Sequence, residues 1–241
     1  MAGSAPLYIG DKVCGYVAPA ALEVLRARLP KTVTTTGVTL DRSANLDAKL
    51  AQIARLLHEA GCITKWRGEL LDVWQDGLSI AALERGAVRP LGLLTRAVHL
   101  NAWSEDGRLW AARRALDKPT DPGMWDTLVG GLVGYGEPDD LALIRESAEE
   151  AGLSQGDIAL REPLRCIYRM QRQVPEGFQY EDVLTSDCVL GPEVVPANQD
   201  GEVMEIACLP IETLQQMLFA GEFTVEASIV IAQSLLTRLE D

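Results

Sequence analysis

Histidine is scarce in this chain: its 241 residues include only His58 and His99. That excludes a metal centre built on several imidazoles. The five cysteines, Cys14, Cys62, Cys166, Cys188 and Cys208, contain no CxxC pair and no zinc-finger spacing. They read as small buried apolar residues of a reducing compartment. No stretch approaches the roughly 20 apolar residues needed to span a bilayer, so no membrane partner is expected. Residues 1–9 lack a basic start followed by an apolar run, so no secretory leader is expected and the location is expected to be cytoplasmic. Basic residues are also short, with 22 Lys and Arg against 35 Asp and Glu and a formal net charge of −13. Such a chain repels nucleic-acid backbones, so no nucleic acid polymer is expected as a partner. A phosphorylated small molecule would face the same repulsion unless cations mediated the contact.

What is present suffices for a packed core: 47% of residues are hydrophobic and 24% are charged. Two short apolar runs around Gly10-Asp11 predict a hairpin. Pro19 opens a helix through Leu22, Val24, Leu25 and Leu29. The threonine- and valine-rich stretch from Val33 to Leu40 predicts a strand. Leu46 to Glu59 predicts an amphipathic helix ended by Gly61, and Glu69 to Trp74 a short strand. The texture changes near Gly86, Pro90 and Gly92, which places a domain boundary at about residue 93. Beyond it, strands are expected at Ala97–Trp103, Leu109–Arg114, Trp125–Val129, Leu164–Arg172, Tyr180–Leu190 and Val203–Leu209. Helices are expected at Pro138–Ala151, Ile211–Phe219 and Val225–Leu239.

One stretch carries chemistry. It begins Gly131-Leu-Val-Gly-Tyr-Gly-Glu137 and, after seven residues, continues Arg145-Glu146-Ser147-Ala148-Glu149-Glu150-Ala151-Gly152-Leu153. Pro138 suits a first helical turn, Asp139 and Asp140 complement the helix dipole there, and Gly152 suits a left-handed stop. Leu141, Ile144 and Ala148 are expected to form the apolar face. Glu146 and Glu150 lie four residues apart on one face, with Glu149 adjoining. Like charges at this spacing destabilise an isolated helix by some tenths of a kcal/mol per pair. A divalent cation would turn that repulsion into coordination, and hard oxygen donors favour Mg2+ or Mn2+. The glycines let backbone approach phosphate closely. Arg145 is placed to reach back to Glu137 and tie loop to helix.

This stretch resembles the Nudix box in every fixed letter; Ser147 alone stands where an apolar residue is usual. The resemblance implies an α/β fold: a Nudix α/β/α sandwich with a mixed sheet at 94–241, preceded by a small α+β domain at 1–93. It implies that Glu146, Glu149 and Glu150 are catalytic and bind Mg2+ or Mn2+. Glu137 and Arg145 support them structurally. A further acid from a later segment is expected among Glu181, Asp182, Glu202 and Glu205. Arg113, Arg114, Lys118 and Gly131 are the expected substrate contacts.

The likeness extends further. Leu109 to Asp126, Val13 to Val17, Trp66-Arg67-Gly-Glu69 and Glu84-Arg85 resemble the thiamine pyrophosphokinase-related Nudix branch. That implies hydrolysis of thiamine diphosphate or a damaged analogue to the monophosphate and phosphate. The alternatives are a nucleoside diphosphate derivative as substrate, or a non-catalytic ligand sensor, which would not need the whole acidic set. Isopentenyl diphosphate isomerases share the fold and a similar Lys…Pro-Gly-x-Trp-Asp stretch. Their expected cysteine is absent from Trp125 to Val129. Trp103, Trp110, Trp125 and Tyr168 are candidates to stack on a flat ring. The expected partner is a small-molecule diphosphate, and a homodimer is expected from the family's habit alone.

Overall fold

The computed structural model describes residues 3–118, 120–199 and 201–240, except for the side chains of 239 and 240. Pro119, in the loop after Lys118, lies outside the described residues. The chain forms two compact units. The first comprises 1–96 with 134–137 and 169–182; the second comprises 97–133, 138–168 and 183–241.

The first unit opens with β1 (Ala5–Ile9) and β2 (Lys12–Val17), an antiparallel hairpin, followed by α1 (Pro19–Arg28). The next strand is shorter than expected: β3 is only Val38–Leu40, pairing parallel to β1. Residues 34–37 form a turn instead. The Thr34 amide and hydroxyl both donate to the Gly37 carbonyl, at 2.7 and 3.0 Å. A threonine hydroxyl that can satisfy a nearby carbonyl competes with a strand ladder.

Helix α2 (Leu46–Glu59) buries Leu46, Leu50, Ile53 and Leu57, as their helical spacing requires. Past its end, the Cys62 amide donates to the Leu57 carbonyl at 2.9 Å, with Gly61 in the left-handed region. Strand β4 (Leu70–Gln75) pairs with β5 (Leu78–Glu84), and α3 (Arg85–Leu91) follows. Neither β5 nor α3 stood out in the sequence, because both are short and α3 contains Pro90. Two of the motifs that suggested a family branch clasp each other here. Arg85 donates to the Glu69 carboxylate at 2.6 Å, and the Arg67 amide donates to Glu84 at 2.8 Å.

The remaining elements are β6 (Leu94–Ser104), β7 (Leu109–Arg114), β8 (Trp125–Thr127), β9 (Val129–Leu132), α4 (Asp139–Ala151), β10 (Arg165–Val174), β11 (Gly177–Leu190), β12 (Val203–Leu209), α5 (Ile211–Ala220) and α6 (Val225–Glu240). The seven-stranded sheet runs β10-β11-β6-β7-β12, with β8 paired to β7 and β9 to β6. Within the second unit, alternation along β6 separates two apolar layers. Val98, Leu100 and Ala102 join Ala142, Leu143 and Ala151 of α4 in one core. Trp103 joins Leu109, Trp125, Leu214, Phe223, Ala227 and Ile231, from β7, β8 and the α5–α6 region, in the other. The second unit is therefore an α/β/α sandwich.

The buried face of α4 differs from the expected one. Leu141 is 54% exposed, while Ala142, Leu143, Ser147 and Ala151 are buried. The helix starts one residue after Pro138, which is its N-cap. Ser147 fits the core because its hydroxyl donates to the Leu143 carbonyl at 2.6 Å, leaving no orphaned donor. Gly152 ends the helix in the left-handed region at φ 66°.

Leu143 is fully buried in this core. We expect Leu143→Ala to cost about 2–5 kcal/mol, lowering Tm by roughly 2–4 °C per kcal/mol. Thermal unfolding checks this, and an unchanged Tm would show that α4 does not depend on that contact.

Candidate active site

The phase of α4 that buries Leu143 and Ser147 also turns Glu146 and Glu150 toward β9. Glu150 is 8% exposed, and its Oε2 accepts from the Gly130 amide at 2.8 Å. Glu146 lies against Gly131. A Cβ placed on Gly131 would sit 2.0 Å from the Glu146 carboxyl carbon, so no other residue fits without displacing that side chain. Glu149 points outward, with its side chain 52% exposed.

Burial pushes the Glu150 carboxyl up to about 8. The Gly130 amide and Lys118 oppose that shift, while the nearby charges of Glu146 and Asp126 add to it.

A cavity of about 10 Å³, lined among others by Ala112, Arg114, Lys118, Asp126, Gly130, Glu150 and Glu202, lies at this carboxylate. That is room for a single water-sized species. Its other two acids are held by basic partners: Arg114 donates to Asp126 at 2.8 Å, and Lys118 is ion-paired to Glu202. Nearby, Arg145 donates to Glu146 at 2.7 Å, to Glu149 at 3.2 Å and to the Leu132 carbonyl at 3.2 Å. With the acids so engaged, no three His, Cys, Asp or Glu side chains among the described residues are preset as a metal cluster. The donor chemistry still fits a hard divalent cation: several carboxylates, one of them buried and destabilised by its neighbours.

Arg114 and Lys118 thus share a cavity with Glu150. Arg113, one residue along β7, is not among that cavity's lining residues. It donates to the Gly123 carbonyl at 3.0 Å and lies 3.7 Å from Glu205. Glu202 lines the Glu150 cavity. In the first unit, Glu181 accepts from Thr95 at 2.7 Å and from Gln179 at 2.8 Å, and Asp182 is paired with Arg169. Glu137 accepts from the Gly134 amide at 3.0 Å within its own loop, whose Tyr135 and Gly136 amides donate to the Leu70 carbonyl and Asp72.

Of the aromatic candidates, Trp103 is fully buried with its indole N–H donated to Ser234, and Trp125 packs in the core near Phe223. Neither offers a face to a ligand; Tyr168 is exposed.

The sequence singles out no role for Asp126, Thr127 or His99. His99 stands opposite Gly130 in the β6–β9 pairing, and its Nδ1 lies 3.0 Å from the Thr127 hydroxyl. That hydroxyl donates to the Val129 carbonyl at 2.8 Å. With its only proton so used, Thr127 accepts from His99 Nδ1–H. The pair braces the turn that aims the Gly130 amide at Glu150. A turn-forming Thr two residues before Val129 was the only signal available in the sequence.

Residues 93–227 match the NUDIX domain family, and the chain belongs to it. It is 28% identical over 252 residues to Nudix hydrolase 20, chloroplastic, of Arabidopsis thaliana, a match covering 95% of this chain and 67% of that protein. Among solved structures it is similar to DR0079 from Deinococcus radiodurans, with TM-score 0.50 and 22% identity over 65% of this chain and 92% of that one. It is also similar to a bifunctional NMN adenylyltransferase/ADP ribose pyrophosphatase of Francisella tularensis complexed with AMP and manganese. That match has TM-score 0.50 and 14% identity, covering 59% of this chain and 41% of that one. The chain is a Nudix pyrophosphohydrolase, an enzyme that hydrolyses diphosphate bonds. No helix among the described residues is long and apolar enough to cross a membrane.

The raised Glu150 contributes to the pH dependence of stability with a definite sign. Unfolded, the carboxyl ionises near its ordinary 4.5; folded, near 8. Between those values unfolding releases a proton, so rising pH favours the unfolded chain. In EDTA we expect Tm to fall as pH rises from about 5 to about 8, by roughly 2–4 °C for each kcal/mol involved. Glu150→Gln should flatten that slope. Calorimetry at several pH values checks both, and an equal slope in the variant would assign it to other groups.

Proposed function

We propose that this enzyme hydrolyses thiamine diphosphate or a damaged analogue to the monophosphate and phosphate, using a divalent cation held on α4. The observation that carries the catalytic part is the buried Glu150, fixed by the Gly130 amide beside Glu146 and Gly131. The residues that would hold Mg2+ or Mn2+ are Glu146 and Glu150, with Glu149 directly or through water. The ion would supply charge neutralisation of the diphosphate and activation of water. Of the four later acids considered, Glu202 is the one proposed for the reaction, because it shares the Glu150 cavity. It or a glutamate of α4 takes the proton from the attacking water.

Lys118 and Arg114 bind phosphate oxygens in exchange for their present carboxylate partners. Arg113 is kept as an outer contact. Gly131 admits the substrate backbone-close, and Glu137 and Arg145 hold loop and helix in shape. The cytoplasm is the proposed location and a homodimer the proposed assembly, with 1–93 as accessory domain and 94–241 as hydrolase domain. The thiamine assignment rests on the motifs at Val13–Val17, Trp66–Glu69 and Glu84–Arg85; the likeness to the plant Nudix hydrolase, which runs through 95% of the chain, supports the hydrolase class.

The test is release of phosphate or monophosphate with each metal. The panel contains thiamine diphosphate, its oxidised analogues, nucleoside di- and triphosphates, and dinucleotides. Preference for thiamine compounds is expected. Preference for nucleotides would discard that assignment and keep the hydrolase. Silence across the panel with metal bound would favour a sensor.

Glu150→Gln should lower kcat by about 10²–10⁴-fold, the usual range for a lost acid–base or ligand group, with its far-UV spectrum unchanged. Wild-type turnover would remove Glu150 from the mechanism. Lys118→Ala should raise KM about tenfold, as for one lost charge-assisted hydrogen bond, with little change in Tm. Unchanged kinetics would leave Lys118 as a structural partner of Glu202 alone. Gly131→Ala should cost at least about tenfold in kcat by pushing Glu146 aside, and full activity would show that the carboxylate can move at no cost.

A further inference from the structure

The first unit contains a cleft of about 460 Å³ lined wholly by its own residues. That volume falls in the range of small-molecule sites. Its floor is built rather than incidental. Gln75, buried at 6% exposure, donates to the Ile9 carbonyl at 2.9 Å and accepts from Arg42 at 2.8 Å.

Its walls combine flat rings with cations. The Arg96 guanidinium lies over the Trp74 ring, 5.4 Å from its centroid. The Arg169 guanidinium lies over Tyr180 at 5.5 Å and donates to the Tyr180 hydroxyl at 3.3 Å. Asp182 grips Arg169 through two nitrogens, the longer contact at 2.8 Å, so the guanidinium is pre-oriented. Lys12 is held at the rim by Asp76, which adopts φ 54° in the β4–β5 turn. Three cations thus face two carboxylates, in a chain whose overall balance is −13. The local surplus is opposite in sign to the molecule.

Planar guanidinium groups stack on flat rings, and their forks and an ammonium suit the oxygens of a phosphate. We propose that this cleft is a binding site for a heteroaromatic phosphomonoester. The ring stacks on the guanidinium planes of Arg96 and Arg169, which Trp74 and Tyr180 back, and the phosphate is taken by the edge of Arg96 and by Lys12. Binding requires no metal, because the cleft supplies its own cations. This reading does not depend on the substrate proposed above.

The experiment is calorimetric titration of the full chain in excess EDTA. The probes are thiamine monophosphate, adenosine 5′-monophosphate, adenosine and inorganic phosphate. At least one monophosphate should bind saturably, and at least tenfold more tightly than adenosine or inorganic phosphate alone. Arg96→Gln and Trp74→Leu should each weaken binding at least tenfold; Arg96→Gln, which leaves the aromatic wall in place, serves if the tryptophan variant does not fold. Glu150→Gln should bind as the wild type does. The proposal is overturned if neither monophosphate binds at millimolar concentration, or if a folded Arg96→Gln protein binds within twofold of wild type. It is equally overturned if Glu150→Gln abolishes binding, since the ligand would then sit at α4. Because no turnover is measured, failure here leaves the hydrolase reading standing, and failure of that reading leaves this one.

Discussion

A carboxyl carried into the interior of a sandwich loses the water that favours its charged form, and for Glu150 the amide of Gly130 offsets that loss only in part. Much of the second unit's site is arranged around that contact. It needs α4 rotated so that Leu143 and Ser147 enter the core while Glu150 meets β9. It needs β9 in register with β6, which sets Gly130 opposite His99. It needs the turn between β8 and β9 braced by Thr127. One hydrogen bond therefore ties helix phase, strand register and turn geometry together.

Neighbouring cations explain why the acidic helix is tolerable. Three glutamates within one and a half turns repel each other, and burial makes the charge on Glu150 costlier still. The protein answers with local cations rather than with distance. Arg145 bridges Glu146 and Glu149, and Lys118 and Arg114 hold Glu202 and Asp126 beside Glu150. These basic groups are the ones a diphosphate would attract. Exchange of carboxylate partners for phosphate oxygens gives a physical route by which substrate and cation could enter together.

The two units use charge differently. In the second, carboxylates dominate the cavity and the cations are neutralisers. In the first, the cleft beside Trp74 and Tyr180 has cations in slight excess, laid on aromatic faces and steadied by Asp182 and Asp76. The two proposals together would have an acidic chain meet phosphate in two ways, through an imported ion or through its own guanidinium groups.

The sequence by itself determined whatever depends on neighbours along the chain. The span of α2 follows from its apolar spacing, the end of α4 from Gly152, and the family from fixed letters between Gly131 and Leu153. Tertiary structure decided what depends on which face a residue shows and what meets it there. Leu141 is apolar yet solvent-facing, because sheet packing selected Leu143 and Ser147 for the core. Arg113 and Arg114 are equal in sequence but part ways on a strand, where successive side chains take opposite faces. Glu202 could not be chosen over Glu181, Asp182 and Glu205 by spacing. Only the pairing of β12 with β7 brings its segment beside Lys118 and Glu150. Residues distant in the chain meet only when the sheet has formed, so local chemistry was legible in the sequence and convergence was not.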